Sequence, residues 1–104
     1  MGCPPDMTES ELAWLAGLLE GEGCFGVLNG RARLQLRMTD EDVVRKAAAF
    51  LGASVNVSHD KRLGRKTMYA VNFTGKRSAD WMKRLLPLMG ARRSARIAGI
   101  LSAY

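Results

Sequence analysis

Leu15-Ala16-Gly17-Leu18-Leu19-Glu20-Gly21-Glu22-Gly23 is the stretch on which the reading of this chain turns. Just upstream, Thr8 and Glu11 have the spacing of a capping box, and the turn they open is acidic, so a helix begins there. Leu12, Leu15 and Leu19 recur on one face of that helix. Ala13, Gly17 and Gly21 recur every four residues on another. They strip that face of bulk, so a second helix backbone can approach closely, by the small-xxx-small logic of paired helices. Gly21 and Gly23 end the helix in a sharp turn. Glu20 and Glu22 thus fall at the helix C-terminus, where the dipole disfavours negative charge. Either a cation balances them, whether a metal ion or a neighbouring Lys or Arg, or both are simply exposed at a fraying end.

Outward from this helix the chain reads as hairpins and helices. Cys24 to Leu28 and Arg31 to Met38 flank Asn29-Gly30, a strong tight-turn dipeptide. In the second of these strands Leu34, Leu36 and Met38 point one way, and Arg31, Arg33, Gln35 and Arg37 the other. Thr39 with Asp40, Glu41 and Asp42 opens a helix over residues 40–51, which Gly52 stops. Val55 and Val57 alternate with Ser54, Asn56 and Ser58; Tyr69, Val71 and Phe73 alternate with Met68, Ala70 and Asn72. The connection His59 to Lys66 is polar and basic. Ser78 caps a third helix to about Leu86 with Trp81, Leu85 and Leu88 as apolar anchors; Pro87 and Gly90 break it; Arg92 to about Ala103 forms the last. The prediction is one α+β domain over residues 8–104, of order αββαββα(α). Its four-stranded antiparallel sheet has helices on one face only, because each strand pair has one apolar and one polar side. Residues 1–7, with Pro4-Pro5 and no periodicity, read as a disordered tail.

Bulk properties narrow the class. At 104 residues with 47% hydrophobic content the chain has a core, but a small one, so a partner surface is expected. No apolar run is long enough to cross a membrane, and nothing resembles a secretory signal. Two cysteines, Cys3 and Cys24, and the lone His59 argue against a disulfide framework or a Cys/His zinc site. A reduced, cytoplasmic compartment fits. The net charge of +6 is unevenly spread. The first 30 residues hold Asp6, Glu9, Glu11, Glu20 and Glu22 with no Lys or Arg; the rest holds all 16 basic groups against five acids. That basic field favours a polyanionic partner such as nucleic acid.

The stretch Leu15 to Gly23, LAGLLEGEG, resembles the LAGLIDADG motif of the homing endonucleases, matching or conservatively replacing every position. The resemblance extends over roughly residues 8 to 100, because that family's unit is helix, hairpin, helix, hairpin, helix, with a curved sheet laid into the DNA major groove. It implies a homodimer seamed through Ala13, Gly17 and Gly21, as in family members with one copy of the motif, which cut near-palindromic sites. Carried over by position, Glu22 falls on the acid that coordinates the catalytic divalent metal, and Glu20 on an earlier acid that caps or supports. Arg37 falls where relatives place a residue that organises active-site water, and Arg92 where they place a basic residue near the scissile phosphate. A prokaryotic or phage-encoded origin is expected more than an organellar one. The first hairpin is much shorter than the family's usual one, and Cys24, Gly26 and Leu28 bond poorly to bases. A long, highly specific target therefore does not carry over.

The residues permit this chemistry. Carboxylate oxygens suit Mg²⁺ (or Mn²⁺), which uses one or two protein ligands and keeps several waters. No Ser/His/Asp or Cys/His set is apparent, with His59 read as a loop residue. Arg31, Arg33, Gln35 and Arg37 can reach phosphates and base edges of double-stranded DNA, and Asn56, Ser58, Lys66 and Asn72 extend that face. Lys76, Arg77, Arg92, Arg93 and Arg96 touch phosphates at the flanks or are merely exposed. Two rival classes stay open: a catalytically inactive DNA-binding or regulatory protein of the same fold, and a dimerisation module whose basic surface is incidental.

Overall fold

The computed structural model describes residues 7–60 and 66–103. Its elements are α1 (Glu9–Glu22), β1 (Gly23–Leu28), β2 (Arg31–Met38), α2 (Glu41–Leu51), β3 (Asn56–Asp60), β4 (Lys66–Thr74), α3 (Lys76–Leu85), a 3-10 turn (Leu86–Leu88) and α4 (Ala91–Ser102). The predicted α+β order holds. The four strands form one antiparallel sheet in the order β1-β2-β4-β3, so β2 and β4 are central and the two hairpins join through them.

Local chemistry fixes most element ends. Thr8 caps α1: its hydroxyl accepts the Glu11 amide at 3.1 Å while the Glu11 carboxylate accepts the Thr8 amide at 2.9 Å. Asn29 and Gly30 both have positive φ, 52° and 76°, the two-residue geometry that matches strand twist. Gly52 closes α2 in the left-handed conformation at φ 67°. Gly23 acts differently from the expected flexible turn. Its φ is −79°, open to any residue, but an added Cβ would lie 2.8 Å from both Leu19 Cδ2 and the Leu19 carbonyl oxygen. Close approach, and not backbone freedom, demands glycine there.

The structure corrects several finer expectations. Ser78 does not cap α3, which starts at Lys76 after Gly75. Ser78 is buried inside the helix, and its hydroxyl donates to the Phe73 carbonyl at 2.7 Å. Leu88 is not an anchor but exposed, because Pro87 turns the chain into the 3-10 segment. His59 lies in β3 and not in a loop, its Nδ1 3.0 Å from the Thr67 hydroxyl across the hairpin, since backbone pairing runs on to Asp60 and Lys66. Met7, read as tail, packs partly buried against the core; the rest of that stretch and Cys3 lie outside the described residues. Cys24 is a free, exposed thiol.

One face of the sheet builds the core. Phe25, Ala32, Leu34, Leu36 and Val71 are buried beneath Leu15 and Leu19 of α1, Val44, Ala47 and Leu51 of α2, Trp81, Met82 and Leu85 of α3, and Ile97 of α4. Each large apolar side chain so buried contributes about 1.5–3 kcal/mol. Trp14 meets Phe50 edge-on at 5.7 Å, and the Lys46 ammonium lies 4.3 Å from the Trp14 ring, which seams α1 to α2. Among the described residues no helix is long and apolar enough to cross a membrane.

Candidate nucleic-acid interface and acidic helix end

The strand register sorts the sheet's polar side chains onto the face opposite the core. Leu28 pairs with Arg31, Gly26 with Arg33 and Thr74, Cys24 with Gln35 and Asn72, and Arg37 with Ala70 and Asn56. Ser58 lies opposite Met68, and Lys66 continues the same face at the end of β4. All eight candidates, Arg31, Arg33, Gln35, Arg37, Asn56, Ser58, Lys66 and Asn72, therefore share one surface that no helix among the described residues covers. Directly opposed residues in an antiparallel pair project to the same side, so this follows from register alone. Arg33 Nε donates to Asn72 Oδ1 at 3.1 Å, which orients two of these groups across β2 and β4. No acid is interleaved along β1 and β2.

At one end of this surface stands the C-terminus of α1. The acid that is badly placed for its own helix dipole is well placed for another's. Glu20 Oε1 accepts the Gly90 amide at 2.7 Å, at the N-terminus of α4, whose first turn has no acid and no side-chain cap of its own. Arg93 supplies the cation expected for Glu20: its Nε stands 3.5 Å from Glu20 Oε2 and donates to the Glu20 carbonyl at 2.6 Å. The same guanidinium donates through Nη1 to the Gly23 carbonyl at 2.7 Å. Arg96 Nε adds a bond to the Phe25 carbonyl at 3.2 Å.

Glu22 is different. It is exposed, and its carboxylate has no hydrogen bond or ion pair among the described residues. Because Gly23 pairs with Leu36, Glu22 lies at the same end of the β1–β2 ribbon as Arg37, which is also exposed. The Glu20–Gly90 bond draws the start of α4, and with it Arg92, toward that end. Glu22 and Arg37 thus stand at one end of the β1–β2 ribbon, and Arg92 follows two residues after the Gly90 that Glu20 holds. Among the described residues no three His, Cys, Asp or Glu side chains cluster as a metal cage. Glu22 alone still suits a hard cation such as Mg²⁺, which takes one or two carboxylates and completes its shell with water and phosphate oxygens.

The Ala13, Gly17 and Gly21 stripe is exposed, and a Cβ built on either glycine meets nothing within 4 Å. No contact among the described residues accounts for this missing bulk.

Sequence reasoning misjudged several arginines. Arg93 and Arg77, read as phosphate contacts or bare surface, are half-buried fasteners. Arg77 bonds the carbonyls of Leu51, at 3.2 Å, and Gly52 at the end of α2, and lies 4.6 Å over the Phe73 ring. Lys76 pairs with Asp80 at 2.9 Å, holding the Asp80 carboxyl below the usual carboxylate range mainly through that hydrogen bond. The partners of Arg77, Arg93 and Arg96 are main-chain carbonyls, which leave no trace in side-chain pattern.

Comparison of the chain with protein-family models finds no match, and no curated protein matches it.

Proposed function

We propose that the chain is one subunit of a homodimeric, Mg²⁺- or Mn²⁺-dependent double-strand DNA endonuclease of the LAGLIDADG type, acting on palindromic or near-palindromic sites. One observation carries this proposal: the uncovered row Arg31, Arg33, Gln35, Arg37 leads along β2 to the corner where Glu22 stands without a partner among the described residues. A basic sheet face suits the phosphate backbone, and an unpaired carboxylate at its end suits a cation shared with a phosphate. The exposed Ala13/Gly17/Gly21 stripe supports a helix seam between two copies, and two copies would present two such corners, one for each DNA strand.

In this mechanism Arg31 and Arg33 hold phosphates and fix register, while Gln35 and Asn72 face base edges. Glu22 holds the metal, which, when bound, neutralises charge on the phosphate and lowers the pKa of the attacking water. Arg37 donates to that water and orients it; as the water oxygen bonds phosphorus its proton passes to bulk solvent, and the deoxyribose oxygen whose bond to phosphorus breaks takes a proton from solvent. Arg92 donates to a non-bridging phosphate oxygen and offsets the charge that develops there.

The test is equilibrium binding of the parent chain to a mixed pool of palindromic duplexes across a salt series, followed by cutting of the same pool with Mg²⁺. Binding should fall linearly with log salt, and Arg33→Ala should reduce the slope by about one phosphate contact. No binding at low salt would leave a dimerisation module with an incidental basic surface. Binding without cutting would leave a DNA-binding regulator.

A further inference from the structure

We propose that Arg93 is the positioning residue for Glu22, a clamp that holds the α1 end in the one orientation where its last carboxylate faces the sheet's basic corner. This rests on the metal-dependent function proposed above. The carbonyls of Glu20 and Gly23 bracket the Gly21-Glu22 pair, and the Arg93 guanidinium bonds both, at 2.6 and 2.7 Å. Two residues between those anchors have little freedom to rotate while the bridge stands. Glu20 is itself fixed twice, by the Arg93 Nε and by the Gly90 amide, so the bracket is tied to the start of α4 and not to a floating side chain. The Arg93 side chain is only 22% exposed, which limits competition from water for these bonds.

The geometry also explains why arginine is needed. The two carbonyls are reached by different nitrogens of one planar group, a rigid fork that a lysine ammonium, one nitrogen on a flexible stem, does not reproduce. The Glu20 carbonyl is one of the acceptors that a helix C-terminus leaves without an internal partner. Satisfying it from α4 stabilises the junction without using the Glu22 carboxylate, which stays available. Arg93 touches neither DNA nor metal in this account; it acts through Glu22.

The test compares Arg93→Lys and Arg93→Gln with the parent and with Arg45→Gln, which removes a charge from the far α2 surface. Three quantities are measured: duplex binding without Mg²⁺, single-turnover cutting against Mg²⁺ concentration, and Mn²⁺-induced broadening of the Glu22 and Gly23 amide signals. Arg93→Lys keeps the charge beside Glu20 and serves where Arg93→Gln does not fold. Both variants should bind duplex within about threefold of the parent, because at most one charge is removed and it lies off the interface. Cutting should fall and the half-saturating Mg²⁺ concentration rise by about 10- to 100-fold, the usual loss when a residue supporting a metal ligand is removed. The Mn²⁺ broadening at Glu22 should weaken in parallel, while Arg45→Gln matches the parent throughout. Parental cutting and metal broadening in Arg93→Lys would overturn the clamp and leave the nuclease standing. A parent that neither cuts nor shows Mn²⁺ broadening would overturn both.

Discussion

Glu20 and Glu22 are two residues apart at the same helix end, yet their surroundings assign them different work. Glu20 is spent within the fold, on the Gly90 amide and Arg93. The Glu22 carboxylate has no partner among the described residues. Glu22→Gln keeps size and hydrogen bonding but removes the anionic ligand, so cutting should drop by orders of magnitude, with several kcal/mol of metal stabilisation lost. Duplex binding should survive or tighten, because a negative charge leaves the neighbourhood of the phosphates. Full cutting by Glu22→Gln would remove it from the metal site; loss of binding together with cutting would make it structural. Glu20→Gln can still accept from Gly90 and loses only the partly exposed ion pair, a cost of about 0.2–1 kcal/mol, so it should cut far better than Glu22→Gln. Gly23→Ala tests the junction itself. Its methyl would overlap Leu19, and a loss of about 1–3 kcal/mol is expected on thermal melting; an unchanged melting temperature would show that the helix end gives way easily.

At the scale of elements, α1 is exceptional in being apolar on more than its core face. Leu15 and Leu19 are buried, while Ala13, Gly17 and Gly21 lie open. Because a Cβ at Gly17 meets nothing, Gly17→Ala should stabilise the isolated fold by roughly 0.5–1 kcal/mol, the ordinary helix-interior difference. Gly17→Leu should fold equally well but interpose bulk at the seam and sediment as a monomer. A dimer of unchanged strength in Gly17→Leu would move the interface elsewhere. The elements themselves were legible where their cause is local. The Thr8–Glu11 box, the Asn29-Gly30 turn, the alternation of β2 and the Gly52 stop each need only a few neighbouring residues. Ser78 misled because its hydroxyl suits a cap, whereas Gly75, at φ 98°, makes the turn and leaves Ser78 to bond back to Phe73. His59 misled because the extent of a hairpin depends on pairing with Lys66 and Thr67, and its own polarity says nothing of that.

For the whole molecule, the split between a core-facing and a solvent-facing side of the sheet was readable from alternation in β2. The register then carried that split across the other strands, which is why the candidate DNA-facing residues fall on one surface. The end of the β1–β2 ribbon was legible only in its exposed members, Glu22 and Arg37. Its fastener Arg93 lies 73 residues from the Glu20 carbonyl it binds, and main-chain acceptors far along the chain leave no periodic signal. Under the proposed function these surfaces act together only when two chains, a duplex and a metal ion assemble. The most direct measurement is digestion of a pooled library of palindromic duplexes by the parent chain, with Mg²⁺ and with EDTA, followed by sequencing of the ends. Double-strand ends at a common, near-symmetric site, appearing with Mg²⁺ and absent with EDTA, are the expected result. Intact duplexes in both reactions, at protein concentrations where the pool is fully bound, would contradict it.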